Sequence, residues 1–197
     1  NDTDFQVLNS SFTLNGNNAV GIYSEYGKVN ISADTSALLS IEGDNSYGIY
    51  VKNSGSVASD NYSYELNGDN SIGILAESDA TGINVTNGSM NIVGSNTFGI
   101  KSSIVGDGKF TVKNLPITMT GGDTQTGIFA ENGSVQVSAE NPAEISTSGT
   151  TGLGIHVKNG GSVISNNYSY SLSGDESIGI DAEIGAKGIN VSNGSMT

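Results

Sequence analysis

A Gly-Ile dipeptide returns seven times at steps of 25 to 28 residues, and the stretches between alternate apolar with polar. Together these observations predict an all-β chain, a right-handed parallel β-helix of about seven triangular coils of about 26 residues each. The marks are Gly21-Ile22, Gly48-Ile49, Gly73-Ile74, Gly99-Ile100, Gly127-Ile128, Gly154-Ile155 and Gly179-Ile180. Steps that are nearly but not strictly constant are what a solenoid produces, because its corners tolerate insertions while its stacked strands do not. A second regularity overlies the first: residues 48–90 align without a gap on 154–196, and 31 of the 43 positions are identical. The chain is therefore read as one β-helix segment spanning 1–197, with 20–91 and 126–197 as duplicated units.

Each coil divides into three short segments separated by Asn, Asp, Gly and Ser, and their period of two marks strands rather than helices. The first segment starts at the marker Ile, whose partner two residues on is Ser24, Val51, Ala76, Ser102, Ala130, Val157 or Ala182, small enough for a narrow interior. Inward positions of the second segment are Val29/Ile31, Val57/Ser59, Ile83/Val85, Phe110/Val112, Val135/Val137, Val163/Ser165 and Ile189/Val191. Those of the third are Phe12/Leu14, Leu39/Ile41, Tyr64/Leu66, Met90/Ile92, Ile117/Met119, Ile145/Thr147 and Tyr170/Leu172. Three such faces meet in one core, and with strands about 4.8 Å apart the rod is about 34 Å long. A single coil orders too many residues for the few side chains it buries, so the coils are stable only in series.

Tyr62 and Tyr168 also fall at inward parity, where their hydroxyls need partners that corner carbonyls can supply. Pro116 falls at outward parity in a third segment and predicts a local bulge. The Asn-Gly pairs at Asn15, Asn67, Asn87, Asn132, Asn159 and Asn193 predict corners in left-handed backbone. The chain begins at Asn1 without a signal sequence and stops at Thr197 inside the pattern. It reads as a piece of something longer, with uncapped ends expected to stack on neighbouring molecules.

Composition narrows the partners. With no arginine, seven lysines, twenty acids and a net charge of −13, the surface repels phosphate backbones and anionic lipid, so no nucleic-acid partner is expected. Cysteine is absent, which removes disulfide and thiolate-metal frameworks. No apolar run reaches the roughly 18 residues of a membrane span, so direct membrane insertion of this segment is not expected. The shorter repeats of trimeric left-handed β-rolls do not match these steps. Gly121-Gly122-Asp123 is the nearest approach to a calcium-binding nonapeptide, and without repetition it predicts neither calcium nor any other metal or cofactor.

Stacking corresponding outward residues gives two columns. The second, Glu25, Lys52, Glu77, Ser103, Glu131, Lys158 and Glu183, mostly alternates in sign and reads as register control. The first, Tyr23, Tyr50, Leu75, Lys101, Phe129 and His156, ending at Asp181, reads as an exposed ladder and is the candidate ligand-binding face. His156, the sole histidine, stands beside Asp181, a juxtaposition used in acid-base chemistry, but no nucleophile column accompanies it. Glu176, Asp181 and Glu183 form the densest acidic group, and the duplicated unit has Asn70, Leu75 and Glu77 there. No catalytic residue is assigned and no enzyme is expected. The alternative is a carbohydrate-processing β-helix enzyme, whose acids would cluster on long irregular loops.

The recurring pattern in Asn45-Ser46-Tyr47-Gly48-Ile49-Tyr50-Val51 and Asn70-Ser71-Ile72-Gly73-Ile74 resembles the passenger repeats of type V autotransporters, those of fusobacterial outer-membrane adhesins above all. The resemblance covers essentially the whole chain. It implies an extracellular rod displayed on a Gram-negative cell and anchored through a C-terminal outer-membrane barrel. It also implies partners among host receptor proteins, glycans and other bacteria.

Overall fold

The computed structural model describes residues 4–105 and 108–197, which form seventeen strands and no helix. In chain order the strands are β1 (Asp4–Leu8), β2 (Phe12–Asn15), β3 (Val20–Ser24), β4 (Lys28–Glu42), β5 (Tyr47–Val51), β6 (Ser56–Asn67), β7 (Ile72–Ala76), β8 (Gly82–Val93) and β9 (Thr97–Ser102). They continue as β10 (Lys109–Lys113), β11 (Ile117–Thr120), β12 (Thr124–Glu131), β13 (Ser134–Thr147), β14 (Thr151–Lys158), β15 (Ser162–Leu172), β16 (Ile178–Ala182) and β17 (Gly188–Ser192). Every strand pair is parallel, and each strand pairs with its counterpart one coil away, which makes the chain a β-solenoid of about seven turns.

The marker isoleucines stack as expected. Ile22 pairs with Ile49, Ile49 with Ile74, Ile74 with Ile100, Ile100 with Ile128, Ile128 with Ile155 and Ile155 with Ile180. All but Ile180 of the last coil are buried. The second-segment column is continuous from Val29 to Ile189, and the third runs from Phe12 to Tyr170, with Tyr170 bridged to Met196. In the end coils Phe5, Leu8, Ile178, Ile180 and Ile184 are exposed.

Three separate strands per coil is corrected to two in most coils. The first segments make a seven-stranded sheet, β3 to β16, whereas the second and third fuse into single long strands (β4, β6, β8, β13, β15) of a ten-stranded sheet bent at the corner. The bend is absorbed by one left-handed residue, Asn61, Asn87 or Asn167, and by register shifts between Ser32 and Ala37 and between Ser138 and Ala143. Asparagine tolerates that backbone because its short amide can bond locally, and Asn114 Nδ2 donates to Asn87 Oδ1 at 2.9 Å from coil to coil. At Pro116, whose ring removes an N–H, the fused strand breaks into β10 and β11. Four of the six Asn-Gly pairs are left-handed at Asn, but Asn15 and Asn67 are not; the positive φ falls at Gly16 and Asn18 in the first case and at Asn70 in the second.

The motif Asn-Ser-x-Gly-Ile now has a physical reading. Asn45, Asn70 and Asn96 turn the chain with φ of 57°, 56° and 55°. Ser46, Ser71 and Thr97 lie buried beneath the turn, and the Ser46 N–H donates to Ser71 Oγ at 3.4 Å. Glycine follows because the coils come too close for a side chain: a Cβ on Gly99 would lie 2.7 Å from the Gly127 carbonyl oxygen and 3.1 Å from Ile117 Cγ2. The same approach of glycine to the next glycine's carbonyl recurs at Gly48, Gly127 and Gly154. Gly99→Ala is expected to cost about 1–3 kcal/mol through overpacking, lowering Tm by about 3–10 °C. Gly82→Ala, where the nearest atom to a Cβ would be Lys109 O at 3.4 Å, should be neutral within about 0.5 kcal/mol. Equal melting temperatures for the two variants would refute the close-packing argument.

The four buried tyrosines find the partners they need. Tyr62 donates to the Ser10 carbonyl at 2.8 Å and Tyr168 to the Leu115 carbonyl at 3.1 Å, each reaching two coils back. Tyr64 bonds Ser59 and Tyr170 donates to Ser165 Oγ at 2.8 Å within their own coils. Burial raises all four hydroxyl pKa values, those of Tyr168 and Tyr170 to about 12.

Candidate functional site

The outward face of the seven-stranded sheet carries the predicted column in register: Tyr23 opposite Tyr50, then Leu75, Lys101, Phe129, His156 and Asp181. The expectation that the whole ladder is exposed is corrected. Tyr23 is 43% exposed, but Leu75 is only 9% and Phe129 only 6% exposed, and Tyr50, Lys101 and His156 are half-buried. A second outward column causes this cover: Val20, Tyr47, Ile72, Phe98, Thr126, Leu153 and Ile178 pair from coil to coil beside the first.

Strict alternation would send these residues inward with the marker isoleucines. The pairings step over the marker glycine, from Tyr47–Ile72 directly to Ile49–Ile74, and an irregularity there returns the preceding side chain to the outer face. Tyr47 stacks on Tyr50 with ring centroids 5.2 Å apart, and Phe98 meets Phe129 edge-on at 5.9 Å. Ile72, Leu75 and Phe129 are buried, yet they stand outside the main core cluster. The rod thus has a second, external apolar layer. Its signal in the sequence is the apolar residue before six of the seven marker glycines.

Polar groups rim this layer. The Tyr23 hydroxyl donates to Glu25 Oε2 at 2.7 Å, and the Tyr50 hydroxyl donates to Glu77 Oε1 at 2.6 Å. The bonds from Tyr23 and Asn53, with Lys52 beside them, hold the Glu25 carboxyl below its ordinary pKa, while Glu25 raises that of Tyr23. In the charged column, Glu25 and Lys52 pair at 3.7 Å. Elsewhere in that column, Lys158 sits 5.2 Å from the Phe129 ring centre, and in the ladder column Lys101 lies 4.7 Å from that of Phe98. Both ammonium groups lie over aromatic faces, where the ring quadrupole attracts them.

At the other end of the same face, His156 packs edge-on against Phe129, ring centroids 5.0 Å apart. Its Nε2 lies 2.7 Å from Glu183 Oε1 and 3.6 Å from Asp181 Oδ2. Of the predicted acidic group, Asp181 and Glu183 therefore meet the histidine, whereas Glu176 lies in the turn before β16. A separate open depression of about 730 Å³ runs along the corner beside this sheet, lined by Tyr26, Asn53, Ser54, Asp79, Thr81 and Val105. Tyr26 is 74% exposed there.

Gly121-Gly122-Asp123 forms a left-handed turn at Gly121 and Gly122, with φ of 77° and 69°. The buried Gln125 accepts the Ser148 and Gly149 N–H groups, both at 2.9 Å, and donates to the Gly121 carbonyl at 2.6 Å. That turn belongs to the coil-to-coil hydrogen bonding. Compared with known protein families, curated proteins and solved structures, the chain finds no match.

Proposed function

We propose that this chain is an extracellular structural and binding segment of a bacterial autotransporter adhesin, attaching its cell to host receptor proteins, glycans or other bacteria. The observation that carries the reading is the external apolar layer: aromatic side chains set on a rigid parallel sheet, outside the core, and rimmed by Lys52, Glu25 and Glu77. Within that layer Tyr23 stays 43% exposed and Tyr47 and Tyr50 are half-buried, and rigid aromatic surface with a polar rim is what a recognition site uses. The depression around Tyr26 lies beside it and offers hydroxyl and amide groups to a sugar.

Screening the chain against host receptor proteins and glycan arrays tests the proposal. The double variant Tyr23→Ser/Tyr50→Ser is expected to lose about tenfold or more in binding, since each aromatic contact is worth about 0.5–1.5 kcal/mol, with an unchanged circular dichroism spectrum. Binding that survives this variant but is lost in Tyr26→Ser would move the site to the corner depression. The enzyme alternative draws on the Asp181–Glu183 pair beside His156, and release of reducing ends from polysaccharides would favour it over adhesion.

A further inference from the structure

We infer that His156, Asp181 and Glu183 form a binding site for one divalent transition-metal cation of the Zn²⁺ type, clipping two neighbouring coils together. The imidazole comes from β14, and the carboxylates come from and directly follow β16, the strand paired with it. One ligand atom from each lies within 4.8 Å of the others. Bonds of about 2.0–2.2 Å to nitrogen and oxygen require ligand atoms about 3 Å apart, so small rotations of the two carboxylates complete the set. The imidazole is held in place by the Phe129 ring. Asp181 and Glu183 are partly open to solvent, which leaves coordination positions for water or a partner's carboxylate. A nitrogen donor with two carboxylates selects zinc, cobalt or nickel over calcium and magnesium, which take oxygen ligands.

The internal duplication supplies a control within the same chain. Tyr50, Leu75 and Glu77 occupy the equivalent places in the first unit, and there the tyrosine hydroxyl simply donates to Glu77 at 2.6 Å. Between the two units the glutamate is retained, and the two differences, histidine for tyrosine and aspartate for leucine, both add metal ligands. Neither change is needed for stacking, because the first unit stacks without them.

The test is isothermal titration of ZnCl₂ into the tag-free chain, with melting curves alongside. With one histidine and no cysteine, the chain offers no other imidazole or thiolate. One equivalent of Zn²⁺ is expected to bind, with a rise in melting temperature and no comparable binding of Ca²⁺. His156→Tyr and Asp181→Leu, which restore the residues of the first unit and so keep a side chain that unit tolerates, should each weaken binding at least tenfold and abolish the thermal shift. Absence of saturable binding up to millimolar Zn²⁺, equal affinity for Ca²⁺, or titrations unchanged in both variants would overturn the assignment.

Discussion

Ile100→Asp is expected to prevent the chain from folding, giving a protein without a β-sheet circular dichroism signal that is rapidly degraded in limited proteolysis. Ile100 is fully buried in the central coil, with Ile74 above and Ile128 below in the same column. The substitution removes a buried aliphatic side chain, about 1.5–3 kcal/mol, and leaves a carboxylate without a partner, about 3–5 kcal/mol more. That sum is comparable with the about 5–15 kcal/mol of net stability a domain ordinarily has. It also falls where the solenoid is most sensitive, since each coil is stabilised by its two neighbours and a failed central coil leaves two short stacks. Two comparisons isolate the cause. Ile100→Val should cost about 0.5–1.5 kcal/mol. Lys101→Asp, one residue on but facing outward, should cost about 1 kcal/mol, the cation–π contacts to Phe98 and Phe129. A cooperative melt for Ile100→Asp within a few degrees of the parent would show that the column does not form the core.

Raising the pH should unfold the protein cooperatively between about pH 10 and 12. Tyrosines in an unfolded chain ionise near pH 10, whereas burial pushes Tyr168 and Tyr170 up to about 12, and Tyr62 and Tyr64 are raised by the same cause. A folded-state pKa above the unfolded one means that the folded state holds its proton longer. The stabilisation is therefore complete below pH 10 and is lost as pH climbs through the folded value. Two units at each of Tyr168 and Tyr170 correspond to roughly 3 kcal/mol apiece, so together about 5–6 kcal/mol disappears across this window. Tyrosinate absorbance should rise in step with the loss of sheet signal. Tyr170→Phe should be about 1–3 kcal/mol less stable at neutral pH, because Ser165 loses its partner, and less steeply destabilised by alkali. Independent titration of all eight tyrosines near pH 10, with the sheet signal intact at pH 12, would contradict the burial that produces these shifts.

Much of the candidate surface was legible before any coordinate, because one side of a parallel stack repeats whatever its coil repeats. The order Tyr23, Tyr50, Leu75, Lys101, Phe129, His156, Asp181 follows from counting one residue past each marker isoleucine, and the strands pair in that order. Exposure was not legible. Leu75 and Phe129 are covered by Phe98, Lys101 and their neighbours, and that cover depends on the glycine irregularity that turns Tyr47, Ile72 and Phe98 outward. Alternation by twos has no means of showing a missed step. The meeting of His156 with Glu183 was likewise hidden, since the two belong to different outward columns.

The sequence by itself determined the coil length, the parallel stacking and the identity of the core. Burial in a narrow repeating interior asks for small aliphatic or Ser side chains along the first segment and leaves room for Tyr, Phe and Met in the other two, at intervals written in the chain. Only the tertiary structure decided where strands fuse and which outward residues are covered. It also decided which side chains from successive coils meet, as His156 does with Asp181 and Glu183. The physical reason is one of range. Core positions are fixed by local period and by polarity, which each residue carries with it. Corner bends, the close approach of glycine to a neighbouring carbonyl and contacts between columns depend on backbone atoms about 26 residues apart, which a linear pattern does not contain.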